Sequence, residues 1–324
     1  MTDKILINTT STETWVAVIE QDKLNALYVE KSQSPSLVGN IYKGKVVRVV
    51  SGMDAAFVDI GLPRSGFLKR NDLLLNVETK TIHQLLHTGD ELIVQVIKDA
   101  MGEKGVRLTT KFTHSFTTPV NAKSPCLIYA ETSLPLRILR DCPELHNKEI
   151  IVNSNELYQR IININADKCY DMQLYNDKVP LFACFQIQTE IDSVLSREVQ
   201  LKSGGNLVID ELEAMTVIDV NSGAFVGYRD NRATFLKINL DAAQEIGRQI
   251  RLRNLSGIII IDFINMPSKR DITQVVSILK LALSLDKTPF EISKASPFGL
   301  VVMTRKRLQP SLKMQLRQGN VKID

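Results

Sequence analysis

Glu213-Ala-Met-Thr-Val-Ile-Asp-Val-Asn-Ser-Gly223 and Gly257-Ile-Ile-Ile-Ile-Asp-Phe-Ile-Asn265 decide how this chain is read. Each contains a dense run of apolar, largely β-branched residues that ends on an aspartate, Asp219 in the first and Asp262 in the second. Such a run reads as a buried strand. A carboxylate at its end needs a partner, because an ionised aspartate facing apolar surroundings is costly. Two of them brought together would offer the hard oxygen ligands that Mg²⁺ takes. Taken singly, either aspartate could equally cap a following turn.

The segments around the pair alternate strand and helix. Strands are expected over 206–209, 214–220, 257–263 and 299–304, with helices over 233–253 and 271–285. Leu236, Leu240, Ala243, Ile246 and Ile250 give the first helix its apolar stripe. This is an α/β pattern, with ligands expected beside the carboxyl ends of the strands. Upstream, strands are expected over 4–8 and 14–19, then a turn at 32–36. Five more follow over 40–50, 55–60, 65–68, 91–98 and 106–109, the strand count of an OB-type barrel. Residues 76–88 read as a loop or short helix. Residues 113–130, with Pro119 and Pro125, read as a connector. Beyond it come helices at 134–141, 155–162 and 186–195 and a strand at 148–152. The fold class is mixed α/β.

With 324 residues, 44% apolar and 23% charged, the chain is globular and long enough for two or three domains. Its net charge of +4 permits nucleic-acid binding without diagnosing it. Cys126, Cys142, Cys169 and Cys184 form no C-x-x-C pair, so neither zinc nor a disulfide framework is expected. No secretory leader and no stretch near the roughly 18 apolar residues of a membrane span is present, so a cytoplasmic protein without a membrane partner is expected. His83, His87, His114 and His146 all lie outside the aspartate segments, which argues against a histidine-pair mechanism.

In a barrel of this type, exposed aromatics beside a basic groove stack the bases of a single strand. Phe57 and Phe67 each sit next to a glycine-bearing turn, with Lys43, Lys45, Arg48, Lys69, Lys104 and Arg107 nearby; on composition alone, core packing is the commoner use of such rings. The order of signals is more specific. Asn40-Ile-Tyr-Lys-Gly-Lys-Val46, Ala55-Ala-Phe-Val-Asp-Ile-Gly61, Gly66-Phe-Leu68, Gly89-Asp-Glu-Leu-Ile-Val-Gln-Val-Ile-Lys-Asp99 and Gly102-Glu-Lys-Gly-Val-Arg-Leu-Thr109 together resemble the S1-type RNA-binding fold, in the version found in the bacterial ribonuclease E/G family. Arg197-Glu-Val-Gln-Leu-Lys-Ser-Gly-Gly205, the two aspartate segments, Arg248 through Ile264, and Phe298-Gly-Leu-Val-Val-Met-Thr-Arg-Lys-Arg307 resemble that family's DNase-I-like catalytic part.

The resemblance implies a split RNase-H-like subdomain (1–35 and 131–195), an inserted S1-type barrel (36–112), a connector (113–130), a DNase-I-like α/β catalytic subdomain (196–312) and a tail (313–324). It implies that Asp219 and Asp262 hold one Mg²⁺, that Asn221 orients the site, and that Phe57, Phe67 and Lys104 clamp single-stranded RNA. The implied activity is a Mg²⁺-dependent endoribonuclease in rRNA processing or mRNA decay, favouring A/U-rich segments. Hydrolysis of this kind leaves 5′-phosphate and 3′-hydroxyl ends. The alternative is a catalytically weak or inactive RNA-binding relative.

Among the neighbouring residues, Arg248, Arg251 and Arg253 read as a solvated helix end or a phosphate clamp, and Arg305-Lys306-Arg307 as either. Ser203-Gly204-Gly205 reads as a hairpin turn before a phosphate loop. Three departures stand out. Asn265 replaces the last residue of the family's Asp-Phe-Ile-Asp. No C-P-x-C zinc-link is seen, so zinc is not expected and any homo-oligomer would use other surfaces. Only the connector stands where longer relatives carry a subdomain that senses the RNA 5′-monophosphate. Cleavage is therefore expected to be indifferent to the 5′ end: paired 5′-phosphate and 5′-hydroxyl oligonucleotides should be cut at equal rates, and a strong preference for the phosphate contradicts this.

Overall fold

The computed structural model describes residues 3–33, 35–74, 80–100, 102–113, 116, 123–142, 145, 147–164, 170–223, 231–284, 286, 288–296 and 299–317. It divides into two compact units, residues 32–141 and residues 1–31 with 142–324.

The chain opens with three antiparallel strands, β1 (Lys4–Thr9), β2 (Glu13–Glu20) and β3 (Lys23–Lys31). The sequence reading places no strand over 23–31, where charged ends and Asn25 weaken the apolar pattern. β3 forms because it pairs with β2 from Glu13↔Lys31 to Glu20↔Lys23 and buries Leu24 and Leu27.

The chain then builds the barrel unit. β4 (Ile41–Val50), β5 (Ala55–Asp59) and β6 (Gly66–Lys69) come first, followed by helix α1 (Ile82–Leu85), β7 (Glu91–Lys98) and β8 (Arg107–Thr109). β4 pairs with β5, β5 with β6, β6 with β8, β8 with β7 and β7 with β4, which closes the ring. Tyr42, Val46, Ala56, Val58, Leu68, Val94, Val96 and Leu108 fill it. β9 (Cys126–Tyr129) pairs with the start of β4, so the end of the expected connector is a strand. Helix α2 (Leu134–Asp141) belongs to this unit too, so residues 131–141 group with the barrel and not with the segment after them.

On returning, β10 (Glu149–Val152) runs parallel to β1, and after α3 (Asn155–Ile164), β11 (Met172–Leu174) runs parallel to β10. The resulting order, β11-β10-β1-β2-β3, is the RNase-H-like sheet. α4 (Leu181–Cys184) and α5 (Gln188–Leu195) cover it, packing Leu181, Phe182, Ile187, Ile191 and Val194 on Leu6, Ala17, Leu24, Leu27 and Ile151.

The last sheet contains β12 (Glu198–Gln200), β13 (Asn206–Glu211) and β14 (Met215–Asn221). After α6 (Asn231–Leu252) it gains β15 (Gly257–Asp262), and after α7 (Lys269–Leu283) β16 (Phe290–Ile292) and β17 (Leu300–Arg305). α8 (Leu312–Arg317) follows. The order is β12-β13-β14-β15-β17-β16, with β14 and β15 parallel across the α6 crossover. The short edge strands β12 and β16 are absent from the sequence reading; three residues are too few to show a period. Ile238, Ala242, Ala243, Ile246 and Ile250 of α6 and Val275, Leu279 and Leu283 of α7 pack on Leu207, Ile218, Val220, Ile259, Ile261, Val301 and Met303. Among the described residues, no helix is long and apolar enough to cross a membrane.

α6 and α7 touch through Gly247, where an added Cβ would lie 2.5 Å from Ala282 Cβ. Gly247→Val should force the helices apart and cost about 1–3 kcal/mol of stability, read from urea unfolding; an unchanged midpoint would contradict the close crossing.

Candidate active site and RNA-binding face

Asp219 of β14 and Asp262 of β15 are partners in register on neighbouring parallel strands. The pair one step earlier, Ile218 and Ile261, is fully buried beneath the helices. Side chains alternate along a strand, so both carboxylates stand on the sheet face turned away from α6 and α7, on strands spaced about 4.8 Å apart. Asp219 is half-buried and Asp262 exposed. Two carboxylates so placed repel each other, and a shared cation relieves that repulsion.

Asn221 lies two residues past Asp219 and therefore on the same face. Its Nδ2 donates to Asp219 Oδ2 at 3.1 Å, the one hydrogen bond that Asp219 receives among the described residues. Among the described residues no backbone N–H donates to either carboxylate, so neither is seen to cap a described turn. The cap of α7 is Ser268, whose hydroxyl accepts from Asp271 N.

A position that reads in the sequence only as part of a hairpin turn supports Asn221. Ser203-Gly204-Gly205 is the hairpin between β12 and β13, closed by Leu201 N to Gly205 O at 2.8 Å and Gly204 N to Leu201 O at 3.0 Å. Ser203 ties the hairpin to α6 by donating N and Oγ to Asp241 Oδ2 at 2.8 and 2.9 Å. A Cβ on Gly205 would sit 2.4 Å from the Asn221 carbonyl oxygen. Gly205 is thus a close-approach residue that lets the end of β14 seat against the hairpin. A glycine pair in sequence signals a turn, not the strand end it must admit.

Asn265 is exposed, three residues beyond Asp262. Among the described residues, no group of three or more His, Cys, Asp or Glu side chains is placed to hold a metal ion. The donor set is then a carboxylate pair with an amide beside it. That set suits Mg²⁺, which keeps several waters and binds through one or two carboxylates plus substrate phosphate.

The basic run is neither a solvated helix end nor, for Arg248 and Arg251, free to clamp phosphate. Arg248 donates to Leu24 O at 2.6 Å and pairs with Glu190 and Glu245. Arg251 donates to Asn25 Oδ1 at 3.0 Å and to Ala282 O. Both stitch β3 to α6. Arg305 is buried against Asp286, Asn254 and the Leu255 carbonyl. Lys306 is exposed, and Arg307 reaches Ala214 O at 3.5 Å. His83 and His87 are exposed; His114, His146 and Cys169 lie outside the described residues. Cys126, Cys142 and Cys184 form no disulfide among the described residues.

On the barrel, Phe57 of β5 and Phe67 of β6 are registered partners. Their neighbours Ala56, Val58 and Leu68 point into the barrel and are fully buried, so the two rings face outward and are half-buried. The ring centroids are 5.5 Å apart with planes inclined at 58°. Core packing, the commoner use of phenylalanine, does not apply to them. Register adds Arg48 of β4 beside Phe57 and Arg107 of β8 beside Phe67. The row Arg48–Phe57–Phe67–Arg107 therefore crosses four strands on one face. Arg107 is held by Asp72, with Nη2 to Oδ2 at 2.9 Å, while Arg48 is exposed. Lys104 is exposed in the turn before β8, next to Gly105, where a Cβ would lie 2.2 Å from Ser65 O.

Residues 37–111 match the profile of the S1 RNA binding domain and residues 95–308 that of the Ribonuclease E/G family. Ribonuclease G of Salmonella typhimurium (strain SL1344) and of Escherichia coli (strain K12) are each 34% identical to this chain, over 96% of it and 81% of their own length. Ribonuclease E of Haemophilus influenzae is 31% identical over 95% of this chain and 42% of its own. The alignments with both ribonucleases G run over 397 positions, more than the chain's 324 residues, so these relatives carry internal residues that the chain lacks. By the extent of these matches, the chain belongs to the ribonuclease E/G family.

Proposed function

We propose that this family member, an endoribonuclease, cuts single-stranded RNA by Mg²⁺-dependent hydrolysis in rRNA processing or mRNA decay in the cytoplasm, leaving 5′-phosphate and 3′-hydroxyl ends. The observation that carries the reading is the registered pair Asp219 and Asp262 on the open sheet face. These two carboxylates would hold one Mg²⁺. When bound, the ion supplies Lewis-acid activation of the phosphodiester and of the attacking water.

The chain's own residues supply the positioning. Asn221 fixes the rotamer of Asp219 through its 3.1 Å hydrogen bond, so one carboxylate is oriented before any ligand arrives. The outward rings of Phe57 and Phe67 offer stacking platforms, and Lys104 and Arg48 offer charge for the backbone, Arg107 being held by Asp72. Stacking accepts any base, so the barrel would hold unpaired RNA with little sequence preference.

One observation favours the second reading, an RNA-binding relative with weak or absent cleavage. Asn265 supplies an amide where the family pattern has a carboxylate, which lowers the negative charge near the pair.

Two measurements separate these readings. With a labelled, unstructured oligonucleotide, Mg²⁺ should support cutting and chelator should stop it. Asp219→Asn should lower the rate about 100-fold or more while RNA binding persists; binding without metal-dependent cutting would favour the second reading. For the barrel, Phe57→Ala and Phe67→Ala should each weaken RNA binding by about 5- to 150-fold, the equivalent of about 1–3 kcal/mol per stacked base. Unchanged affinity in both would remove the barrel face from the account.

A further inference from the structure

Arg253, at the end of α6, is 4% exposed. Arginine is almost never buried this far without a carboxylate partner, because the lost hydration must be replaced. Here the partners are neutral: Nε donates to Gln249 Oε1 at 2.7 Å and Nη2 to Ser193 O at a long 3.4 Å. Nη1 has no hydrogen-bond partner among the described residues and keeps contact with solvent, and no described carboxylate forms an ion pair with the group. Burial pulls the guanidinium pKa down to about 10, against which the field of Glu211 and Glu245 works only partly.

The side chain lines a cavity of about 110 Å³. That is well above the roughly 10–15 Å³ that admits one water, and it leaves room for a small tetrahedral anion. The other polar groups around it are Ser196, Arg197, Asp210, Glu211 and Lys313. Arg197 grips Asp210 through two bonds, Nε to Oδ1 at 2.6 Å and Nη2 to Oδ2 at 2.8 Å, so these two charges cancel within the pair. Glu211 stands beyond ion-pair distance of Arg253, and Lys313 has no ion pair among the described residues. Two cations then face one carboxylate, leaving a net positive charge in a cavity whose most buried cation has one terminal nitrogen, Nη1, bonded to no described protein group.

We propose that this cavity is a binding site for a phosphate-type oxyanion, with Arg253 as the buried anchor and Lys313 at its rim. Charge-assisted bonds from a guanidinium and an ammonium to oxyanion oxygens are the strong class of hydrogen bond, and such a ligand would complete the shell of Arg253. The same chemistry is carried by free inorganic phosphate and by a phosphodiester of an RNA strand. The site is separate from the Asp219–Asp262 pair and needs no metal, so its failure and the failure of the nuclease reading are distinguishable.

The test uses the full chain in chelator, where no cutting occurs, with inorganic phosphate titrated in and read by calorimetry and by the shift in thermal midpoint. Saturable binding is expected, with the midpoint rising as phosphate is added. Lys313→Glu, at an exposed position, should raise the Kd about tenfold or more, and Glu211→Gln should lower it several-fold. Arg253→Met, checked for folding by circular dichroism, should abolish binding. Competition by a single-stranded oligonucleotide assigns the site to RNA phosphates; phosphate binding that the oligonucleotide leaves untouched assigns it to the free anion. No saturable binding, or a Kd unmoved by both Lys313→Glu and Glu211→Gln, overturns the proposal.

Discussion

The register between β14 and β15 is the constraint on which the site depends. Asp219 meets Asp262 on one face only because Ile218 meets Ile261 on the other, and both isoleucines are fully buried. A slip of one residue would turn the whole set over, sending a carboxylate beneath α6 and α7 and an isoleucine into water. Core packing and site geometry are therefore one choice. The α6 crossover makes the two strands parallel neighbours, and Gly247 lets α7 close over the same core. Both helices pack on the sheet face opposite the carboxylates, and by holding the isoleucines there they fix where the carboxylates point.

The barrel follows the same logic with a different residue type. Ala56, Val58 and Leu68 fill its interior, so Phe57 and Phe67 are forced outward by alternation. Two large rings standing side by side on a barrel exterior forgo burial, which is the feature that distinguishes a platform from a core. Of the registered arginines at the ends of the row, Arg107 is held by Asp72 and Arg48 stays exposed.

Long apolar runs make much of this legible in the sequence. The β14 and β15 strands, the α6 stripe and the five barrel strands all carry enough residues for their period to show. The places of Asp219, Asn221 and Asp262 at or near the strand ends were legible because polar residues interrupt or follow those runs. What stayed hidden shares one cause: it depends on partners far along the chain. β3, β12 and β16 are strands because of their neighbours in the sheet, and β9 is a strand because β4 accepts it. Gly205 read as a turn, although it also admits the Asn221 carbonyl. Arg248, Arg251 and Arg253 read as a basic helix end, whereas burial turns the first two into stitches and sets the third against the neutral Gln249 and Ser193 carbonyl oxygens. The direction of the phenylalanine rings likewise followed from register and not from composition.

The reading proposed for the two registered aspartates is that they share one divalent ion. Mn²⁺, which is spectroscopically visible and accepts the same oxygen ligands, tests it directly by electron paramagnetic resonance titration. The wild-type chain should show one site whose affinity falls about 10- to 100-fold in Asp219→Asn and equally in Asp262→Asn. An affinity unchanged in Asp262→Asn would contradict the shared site.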